Sequence, residues 1–227
     1  MNASTVKSKW GDREVRRADL LLAARQQLAL KGYAALNIRM VAQEAGLSPG
    51  SVYTYFANKE ELFATLYAER LAELHVQVQP LCQKATSLED LLLGFVHLYM
   101  PVYQGFGRDL NVWSMTRDEN SHVSAELVAE LARCSTRVLS TLFMAVQRLA
   151  VMEGIDLIGL ENPQLFLSLL HVFVNGLADH FSGDRQLMAG ATLEELARFG
   201  ARVLVAGLKQ LVPAPHSAAF AATPPCP

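Results

Sequence analysis

The sequence predicts an all-α protein in which a small N-terminal three-helix domain precedes a larger helical domain. Apolar residues recur at spacings of three and four along most of the chain, and no sustained alternation of period two appears. Capping residues and glycines interrupt this pattern where helices would begin and end. With 51% hydrophobic and 19% charged residues, the chain can build a packed core. We expect domains at residues 1–58 and 59–212, followed by a disordered tail at 213–227 that contains five prolines.

The N-terminal domain is expected to begin with a helix from about Asp12 to Leu30. Gly32 is placed to end it, because glycine adopts the left-handed C-cap conformation without a steric penalty. The predicted inner face comprises Ala18, Leu21, Leu22, Leu28 and Ala29. Asn37 is then placed to cap a short helix over Ile38–Ala45.

Two further capping signals follow. Ser48 can cap a second short helix with Pro49 at its first position, where the missing N–H costs nothing. Asn58 can cap a long helix to about Leu81, with the Glu61 carboxylate reaching back to the Asn58 backbone in a variant of the capping box. Later helices are predicted at about Ser87–Tyr103, Asp109–Met115, Ser121–Met152, Asn162–Phe181 and Thr192–Leu211.

The charge of the chain is unevenly distributed. Up to residue 59, nine basic side chains face four acidic ones and give a net charge of +5, whereas residues 60–227 carry −7. A basic N-terminal segment on an acidic body is expected when only that segment meets phosphate groups. Chance clustering of surface lysines and arginines is the alternative explanation.

Cysteine usage and hydropathy indicate a soluble cytoplasmic protein. Cys82, Cys134 and Cys226 lie far apart, with no CxxC pair and no histidine spacing typical of zinc sites. We therefore expect a reducing environment without a disulfide framework. The N-terminus has charges where a signal peptide needs an apolar stretch. The most apolar segment, Leu165–Ala178, is interrupted by polar residues and is shorter than the ~20 residues of a membrane span.

The most specific signal is the run from Ile38 to Phe56. It contains two short helices separated by Ala-Gly-Leu-Ser, with Gly46 where the chain must turn sharply. The residues predicted to face inward are Val41, Ala45, Val52 and Phe56, and the small Ala42 lets the two helices approach each other. A second helix this short cannot persist alone, so its neighbours must hold it. Its outer face is then free to enter a DNA major groove, as in a helix-turn-helix.

The outer residues of this run suit DNA. Hydroxyl groups and a lysine can bind phosphate oxygens, glycine permits close backbone approach, and helix N-termini attract phosphate. The candidate DNA-binding residues are Asn37, Arg39, Ser48, Pro49, Gly50, Ser51, Tyr53, Tyr55 and Lys59. Considered singly, Tyr53 could be a core aromatic residue and Lys59 a solvated lysine.

Residues from about Arg13 to Leu66 resemble the DNA-binding domain of the TetR family of regulators. The family pattern is followed almost throughout by GYAALNIRMVAQEAGLSPGSVYTYFANKEEL. The resemblance implies phosphate contacts by Tyr53, Tyr55 and Lys59. It implies close approach to base edges by Pro49, Gly50 and Ser51. It also implies a phosphate contact just before helix two, where family members often have threonine and this chain has Asn37.

The last two predicted helices suit self-association. Small residues recur on one stripe of the final helix and permit close contact, and the preceding helix is apolar around more than one face. The predicted dimer interface comprises Leu169, Phe173, Leu177, Leu196, Gly200, Val203 and Gly207. Burial of both helices within one subunit is the alternative. A dimer would place two recognition helices about 34–36 Å apart on a near-palindromic operator.

The middle of the chain carries candidates for a small-molecule effector pocket, with mainly apolar walls and a few polar anchors. The candidate pocket residues are His97, Tyr99, Tyr103, Trp113, Arg117, Phe143, His171 and Asn175. Further apolar walls are predicted from Phe106, Met115, Met144 and Phe173. Plain core packing is the alternative for the aromatic residues. The pattern favours an aromatic or amphipathic effector but does not identify it.

Three functional classes compete. A repressor released from its operator by a small molecule accounts for the helix-turn-helix, the charge distribution and the apolar C-terminal helices. An activator or a ligand-independent DNA-binding protein would share the N-terminal domain. An enzyme is disfavoured, since the sequence has no GxSxG, HExxH, P-loop or GxGxxG motif. His97, His171 and His180 form no HxxxH pair, so no metal site and no cofactor is expected.

Overall fold

The computed structural model describes residues 9–107, 123–157, 163–182 and 190–212, and every regular element within these ranges is a helix. The helices are α1 (Lys9–Ala35), α2 (Ile38–Glu44), α3 (Pro49–Val52), α4 (Lys59–Lys84), α5 (Leu88–Phe106), α6 (Ala125–Met152), α7 (Pro163–Phe181) and α8 (Leu193–Leu211). The all-α fold class predicted from the sequence is confirmed. The predicted helix Asp109–Met115 and the tail 213–227 lie outside the described residues.

The capping signals identify most helix ends correctly. Gly32 has φ 73° and interrupts the helical backbone of α1 where the end of the first helix was predicted. The capping box of α8 is present, since the Thr192 Oγ1 accepts from the Glu195 N–H at 3.2 Å and the Glu195 carboxylate accepts from the Thr192 N–H at 2.8 Å. The hydrogen bonds that the Thr192 N–H and the Thr192 hydroxyl donate to the Glu195 carboxylate lower the pKa of Glu195.

Contacts divide the chain into two compact units. The first comprises the residues up to His75 together with Pro101–Arg137, and the second comprises Val76–Met100 together with the residues from Val138 onward. The helices α4, α5 and α6 each contribute to both units. The domain boundary predicted between residues 58 and 59 coincides with the start of α4, whereas the contacts divide the chain within that helix.

The core of the first unit forms where α1 packs on the helices that follow it. The buried positions of α1 are Leu20, Leu21, Ala23, Ala24, Gln27 and Leu28. The predicted inner face was therefore wrong in part, because Leu22 is 56% exposed and Ala18 and Ala29 are also exposed. The α1 sequence offers two overlapping apolar stripes, and the contacts of the folded chain select the one that includes Leu20 and Ala24.

The second unit has its own apolar core, built from α5, α7 and α8. Leu93, Val96, Val174, Leu177 and Ala197 form its buried centre. Six partly buried residues pack around this centre: Phe95, Tyr99, Phe173, Phe181, Leu193 and Leu196. Two helices approach closely here, since a Cβ atom on Gly200 would lie 2.3 Å from Cε2 of the Phe173 ring.

The turn between α4 and α5 is held by α6. The Arg148 Nη2 donates to the carbonyl oxygens of Cys82 and Ala85, both at 3.0 Å, near the C-terminal end of α4. The Glu153 carboxylate accepts from the Leu88 N–H at 2.6 Å, at the N-terminal end of α5, and pairs with Lys209 of α8 at 2.9 Å. The Arg148 cation therefore lies at the C-terminal end of α4, where unpaired carbonyl groups carry partial negative charge. The Glu153 carboxylate lies at the N-terminal end of α5, where unpaired N–H groups carry partial positive charge.

Substitution of Gly200 by alanine should destabilise the protein, because the added methyl group requires the Phe173 ring to move within the packed core. We expect a loss of about 1–3 kcal/mol in the free energy of unfolding, measured by urea denaturation at fixed protein concentration. Gly105→Ala is the matched control, since no atom lies within 4 Å of its added Cβ. The control should gain about 0.5–1 kcal/mol from the higher helix propensity of alanine. Equal stability of the two variants would contradict the packing described.

Candidate nucleic-acid interface

The turn between α2 and α3 is set by Gly46. Its φ of 67° lies in the left-handed region, which favours glycine. The Leu47 N–H donates to the Ala42 carbonyl at 2.8 Å and the Gly46 N–H donates to the Gln43 carbonyl at 3.1 Å. This pair of bonds is a Schellman motif, which ends α2 and redirects the chain into α3. The sharp turn predicted at this glycine is therefore present.

The N-caps of the two short helices are formed as predicted. The Asn37 Oδ1 accepts from the Arg39 N–H at 2.8 Å at the start of α2. The Ser48 Oγ accepts from the Ser51 N–H at 3.2 Å at the start of α3, and Pro49 occupies its first turn. These bonds fix the N-termini of both helices on the exposed surface of the first unit.

The apolar residues of α2 and α3 anchor the motif from below. Val41, Ala42 and Val52 are completely buried, and Phe56 is 2% exposed. This burial holds a four-residue helix that has too few hydrogen bonds to persist alone. The residues predicted to face inward therefore pack as expected, apart from Ala45, which is half-buried.

The candidate DNA-binding residues lie on the opposite side of this anchor. Six of them are exposed: Asn37, Arg39, Ser48, Pro49, Gly50 and Tyr53. Ser51, Tyr55 and Lys59 are half-buried. Tyr53 is 57% exposed, which excludes the interpretation of this residue as a core aromatic. A Cβ atom on Gly50 would meet only the Ser48 Oγ, at 4.0 Å, so another backbone can approach closely.

Lys59, the first residue of α4, lies against the C-terminal end of α1. Its Nζ is 4.2 Å from the centroid of the Tyr33 ring and 3.4 Å from the Ala34 carbonyl oxygen. Burial lowers the pKa of Lys59. The Tyr33 hydroxyl donates to the Glu60 carboxylate at 3.2 Å, and burial followed by this carboxylate raises the pKa of Tyr33 to about 12. The Lys59 amine is therefore partly engaged within the unit.

Asn58 and Glu61 form the cap at the start of α4. The Asn58 Oδ1 accepts from the Glu61 N–H at 2.7 Å, as an N-cap should. The Glu61 carboxylate accepts from the Ala57 N–H at 2.6 Å. This bond closes the segment between α3 and α4.

Gln27 is a supporting residue that sequence reasoning missed. It is 3% exposed, and its Oε1 accepts from the Asn37 N–H at 3.4 Å, so it holds the capping residue of α2 from behind. Its Nε2 has no hydrogen-bond partner in the described part of the chain. A polar residue inside the apolar pattern of α1 was the available signal, since buried glutamines are uncommon.

An open groove of about 360 Å³ lies beside the helix-turn-helix, within the first unit. Tyr55 and Arg17 line one side of it, and Glu126, Glu130 and Arg133 of α6 line another. None of the residues predicted for the effector pocket lines this groove.

The predicted effector residues are distributed over both units. In the second unit, the Tyr99 hydroxyl donates to the Asn175 Oδ1 at 2.9 Å, and the Asn175 Nδ2 donates to the His171 carbonyl at 2.8 Å. His97 is exposed and its Nε2 lies 3.2 Å from a Glu194 carboxylate oxygen. Phe143 is half-buried there, whereas Met144 is 66% exposed.

Other predicted pocket residues lie elsewhere. Tyr103 and Phe106 belong to the first unit, where the Phe106 ring packs 5.3 Å from that of Phe63. Trp113, Met115 and Arg117 lie outside the described residues. Within the ranges that the structure describes, no three histidine, cysteine, aspartate or glutamate side chains are grouped as a metal site. No helix in those ranges is long and apolar enough to cross a membrane.

The residues predicted for the dimer interface divide into two groups. Leu177 is buried in the core of the second unit, Leu196 and Phe173 pack against that core, and Gly200 accommodates the Phe173 ring. Leu169 and Val203 are instead 48% and 54% exposed, and Gly207 has open space above it. The same sequence stripe thus serves partly for packing within the subunit.

Comparisons with known proteins agree with this geometry. The model of the tetR family of bacterial regulatory proteins matches residues 20–66, which include α2, α3 and the start of α4. An uncharacterised helix-turn-helix transcriptional regulator of Mycobacterium tuberculosis is 38% identical over 55 residues, which cover 24% of this chain and 26% of that protein. The buried anchor, the capped α3 and this match identify residues 20–66 as a helix-turn-helix domain of the kind found in the tetR family of bacterial regulatory proteins.

Similarity extends into the C-terminal part as well. The fatty acid metabolism regulator protein of Bacillus subtilis is 26% identical over 179 residues, which cover 77% of this chain and 90% of that protein. The crystal structure of FadR from Bacillus subtilis with stearoyl-CoA has a TM-score of 0.59 at 19% identity, over 84% of this chain and 98% of that one. The TetR-family regulator PfmR from Thermus thermophilus has a TM-score of 0.56 at 20% identity, over 83% and 98%.

Two substitutions of Ser48 should separate its structural role from a role at DNA. Ser48→Ala removes the N-cap of α3 and should cost about 1 kcal/mol of stability. Ser48→Asp keeps a capping oxygen and adds a charge that suits a helix N-terminus, so stability should be retained. DNA binding by Ser48→Asp should nevertheless weaken, because its carboxylate would face backbone phosphates. Urea denaturation and fluorescence anisotropy with duplex DNA measure the two effects. Unchanged affinity of Ser48→Asp would place Ser48 outside the interface.

Proposed function

We propose that the protein is a transcriptional repressor whose affinity for a near-palindromic operator falls when a small amphipathic molecule binds its C-terminal part. The single observation that carries the DNA-binding half of this proposal is the exposed face of α3 on a completely buried anchor. The proposed phosphate contacts are those of Asn37, Tyr53, Tyr55 and Lys59. The proposed contacts to base edges are those of Pro49, Gly50 and Ser51.

The basic N-terminal segment supports this assignment. Residues up to 59 carry a net charge of +5, and Arg39, Tyr53 and the N-terminus of α3 lie on its exposed surface. DNA binding that neutralises phosphates releases counterions and is therefore strongly salt-dependent. The Lys59 amine lies 4.2 Å from the centroid of the Tyr33 ring. To bind a phosphate, it either reaches the phosphate from this position or moves away from the ring.

A fatty-acyl thioester is the effector class that we propose. The support is the similarity to the fatty acid metabolism regulator protein, which spans most of both chains, and the fold shared with a FadR crystallised with stearoyl-CoA. The apolar centre of the second unit, with Tyr99 and Asn175 joined by a hydrogen bond at its edge, offers the mixture of apolar and polar groups that such a ligand needs.

Coupling between ligand and DNA is proposed to run through α4. This helix begins at Lys59, directly after the helix-turn-helix, and continues from the first unit into the second. A shift of its C-terminal half would change the spacing of the two DNA-binding heads in a dimer. Conversion from 99% bound to 99% free requires a differential affinity of about 5.5 kcal/mol between the two states.

A transcriptional activator or a ligand-independent DNA-binding protein is the alternative function, since both would use the same helix-turn-helix. A reporter gene separates these alternatives from a repressor. Addition of the ligand raises transcription of the reporter gene only if the protein represses that gene when no ligand is bound.

Stearoyl-CoA should release the protein from the DNA upstream of its own gene. The experiment measures fluorescence anisotropy of that duplex with wild type and with Tyr53→Ala, which should bind weakly at every salt concentration because it lacks a phosphate contact. Stearate and coenzyme A, each added alone, show whether both parts of the thioester are needed. Release by stearoyl-CoA only would support the proposed effector class. Specific binding that none of the three compounds changes would contradict it and leave the DNA-binding function in place.

We further propose that the protein is a homodimer and that the interface is the exposed apolar face of α7 and α8. Leu165, Leu169 and Val172 recur at spacings of four and three on α7 and are 68%, 48% and 65% exposed. Phe199 and Val203 lie one turn apart on α8 and are 66% and 54% exposed. A soluble monomer rarely exposes so many neighbouring apolar side chains. A second copy is the partner that two operator half-sites require.

Phe199→Asp should convert the protein to a monomer, because it places a charge in the proposed interface. Wild type should have twice the mass of one chain in analytical ultracentrifugation. Leu139→Asp on α6 is the matched control, since Leu139 is 57% exposed but lies outside the proposed face. A Phe199→Asp variant that keeps the mass of wild type would exclude this face as the interface.

A further inference from the structure

The arginines of α1 differ in their interaction partners. Arg25 is fixed by two carboxylates of α4, with its Nη1 3.0 Å from Glu73 and its Nη2 3.0 Å from Glu69. Arg17 lies 3.9 Å from Glu69, and its guanidinium carbon is 5.4 Å from the Phe56 ring centroid. The charges of both arginines are therefore balanced within the first unit.

Arg13 has a different environment. Its guanidinium carbon lies 5.8 Å from the centroid of the Tyr55 ring, and the residue is exposed. Among the residues that the structure describes, no carboxylate lies within ion-pair distance of it. A guanidinium above an aromatic face keeps its N–H groups along its edge, where they can donate.

The position of Tyr55 places this charge at the helix-turn-helix. The Tyr55 N–H donates to the Val52 carbonyl at 2.9 Å, so Tyr55 belongs to the turn that ends α3. An exposed guanidinium on that ring is consequently next to the surface that is proposed to meet the DNA backbone. Guanidinium groups bind phosphate oxygens through paired, charge-assisted hydrogen bonds.

We propose that Arg13 is a phosphate-binding residue and that it extends the DNA interface from α2 and α3 to the first turns of α1. The ring of Tyr55 supports the guanidinium, whose N–H groups donate to a backbone phosphate outside the segment read by α3. This inference rests on the proposed DNA-binding surface and adds to it a residue outside the helix-turn-helix run.

The test is the salt dependence of DNA binding by Arg13→Ala, measured on a duplex that wild type has selected from random DNA. One lost phosphate contact should lower the slope of log K against log salt concentration by about 0.9 for each head bound. Affinity at the lowest salt concentration should fall roughly tenfold, as expected for one charge-assisted hydrogen bond. Arg13→Lys keeps the charge and should keep the slope.

Arg25→Ala is the matched control, since it removes an arginine from the same helix whose charge is already balanced by Glu69 and Glu73. Its slope should equal that of wild type, and circular dichroism should show that both variants fold. A slope for Arg13→Ala equal to that of wild type would overturn the inference, even if affinity fell, because Arg13 would then act only through the position of Tyr55. Failure of wild type to select any duplex would instead refute the proposed DNA-binding function.

Discussion

A four-residue helix cannot hold its shape in water, and the first unit of this protein is organised around that constraint. The helix α3 contains too few hydrogen bonds to compensate for the entropy of ordering its backbone. Ser48 caps its N-terminus, and the burial of Val52 and Phe56 fixes its inner face. The left-handed turn at Gly46 sets the direction in which the chain enters the helix. All of these supports come from residues within four positions of α3.

The second unit meets a different requirement. Its helices build the core of one subunit, and the proposed dimer needs apolar side chains that remain outside that core. The helices α7 and α8 divide their circumference between these tasks. One side, with Leu177 and Ala197, is buried in the core, and another, with Leu169 and Val203, is exposed.

Local chemistry explains why much of the first unit could be predicted. The caps at Asn37 and Ser48 and the turn at Gly46 depend on residues within three positions of each other, so the sequence contains the information directly. The buried face of α1 depends on distant partners. Leu22 and Leu20 are equivalent in the local pattern, and only the position of the later helices decides that Leu20 is buried. Gln27 was missed for the same reason, since its role depends on the Asn37 backbone.

The C-terminal helices show a second limit of sequence patterns. Gly200 and Gly207 occur on one stripe, but a ring of the same subunit lies over the first while the second has open space above it. Sequence spacing identifies the apolar stripe and leaves open which partner covers each position. The arrangement of α7 and α8 supplies that information, because Phe173 reaches Gly200 and not Gly207.

The clamp at the turn between α4 and α5 has a consequence for the order of folding. Arg148 lies 66 and 63 residues from its partners Cys82 and Ala85, and Glu153 lies 65 residues from Leu88. On the ribosome, the turn is therefore synthesised long before the side chains that cap both its helix ends. The helix-turn-helix depends on contacts among neighbouring segments and can form during that interval, whereas the α4–α5 corner must wait for α6. The nascent chain would thus form the helix-turn-helix before the corner between α4 and α5 is complete.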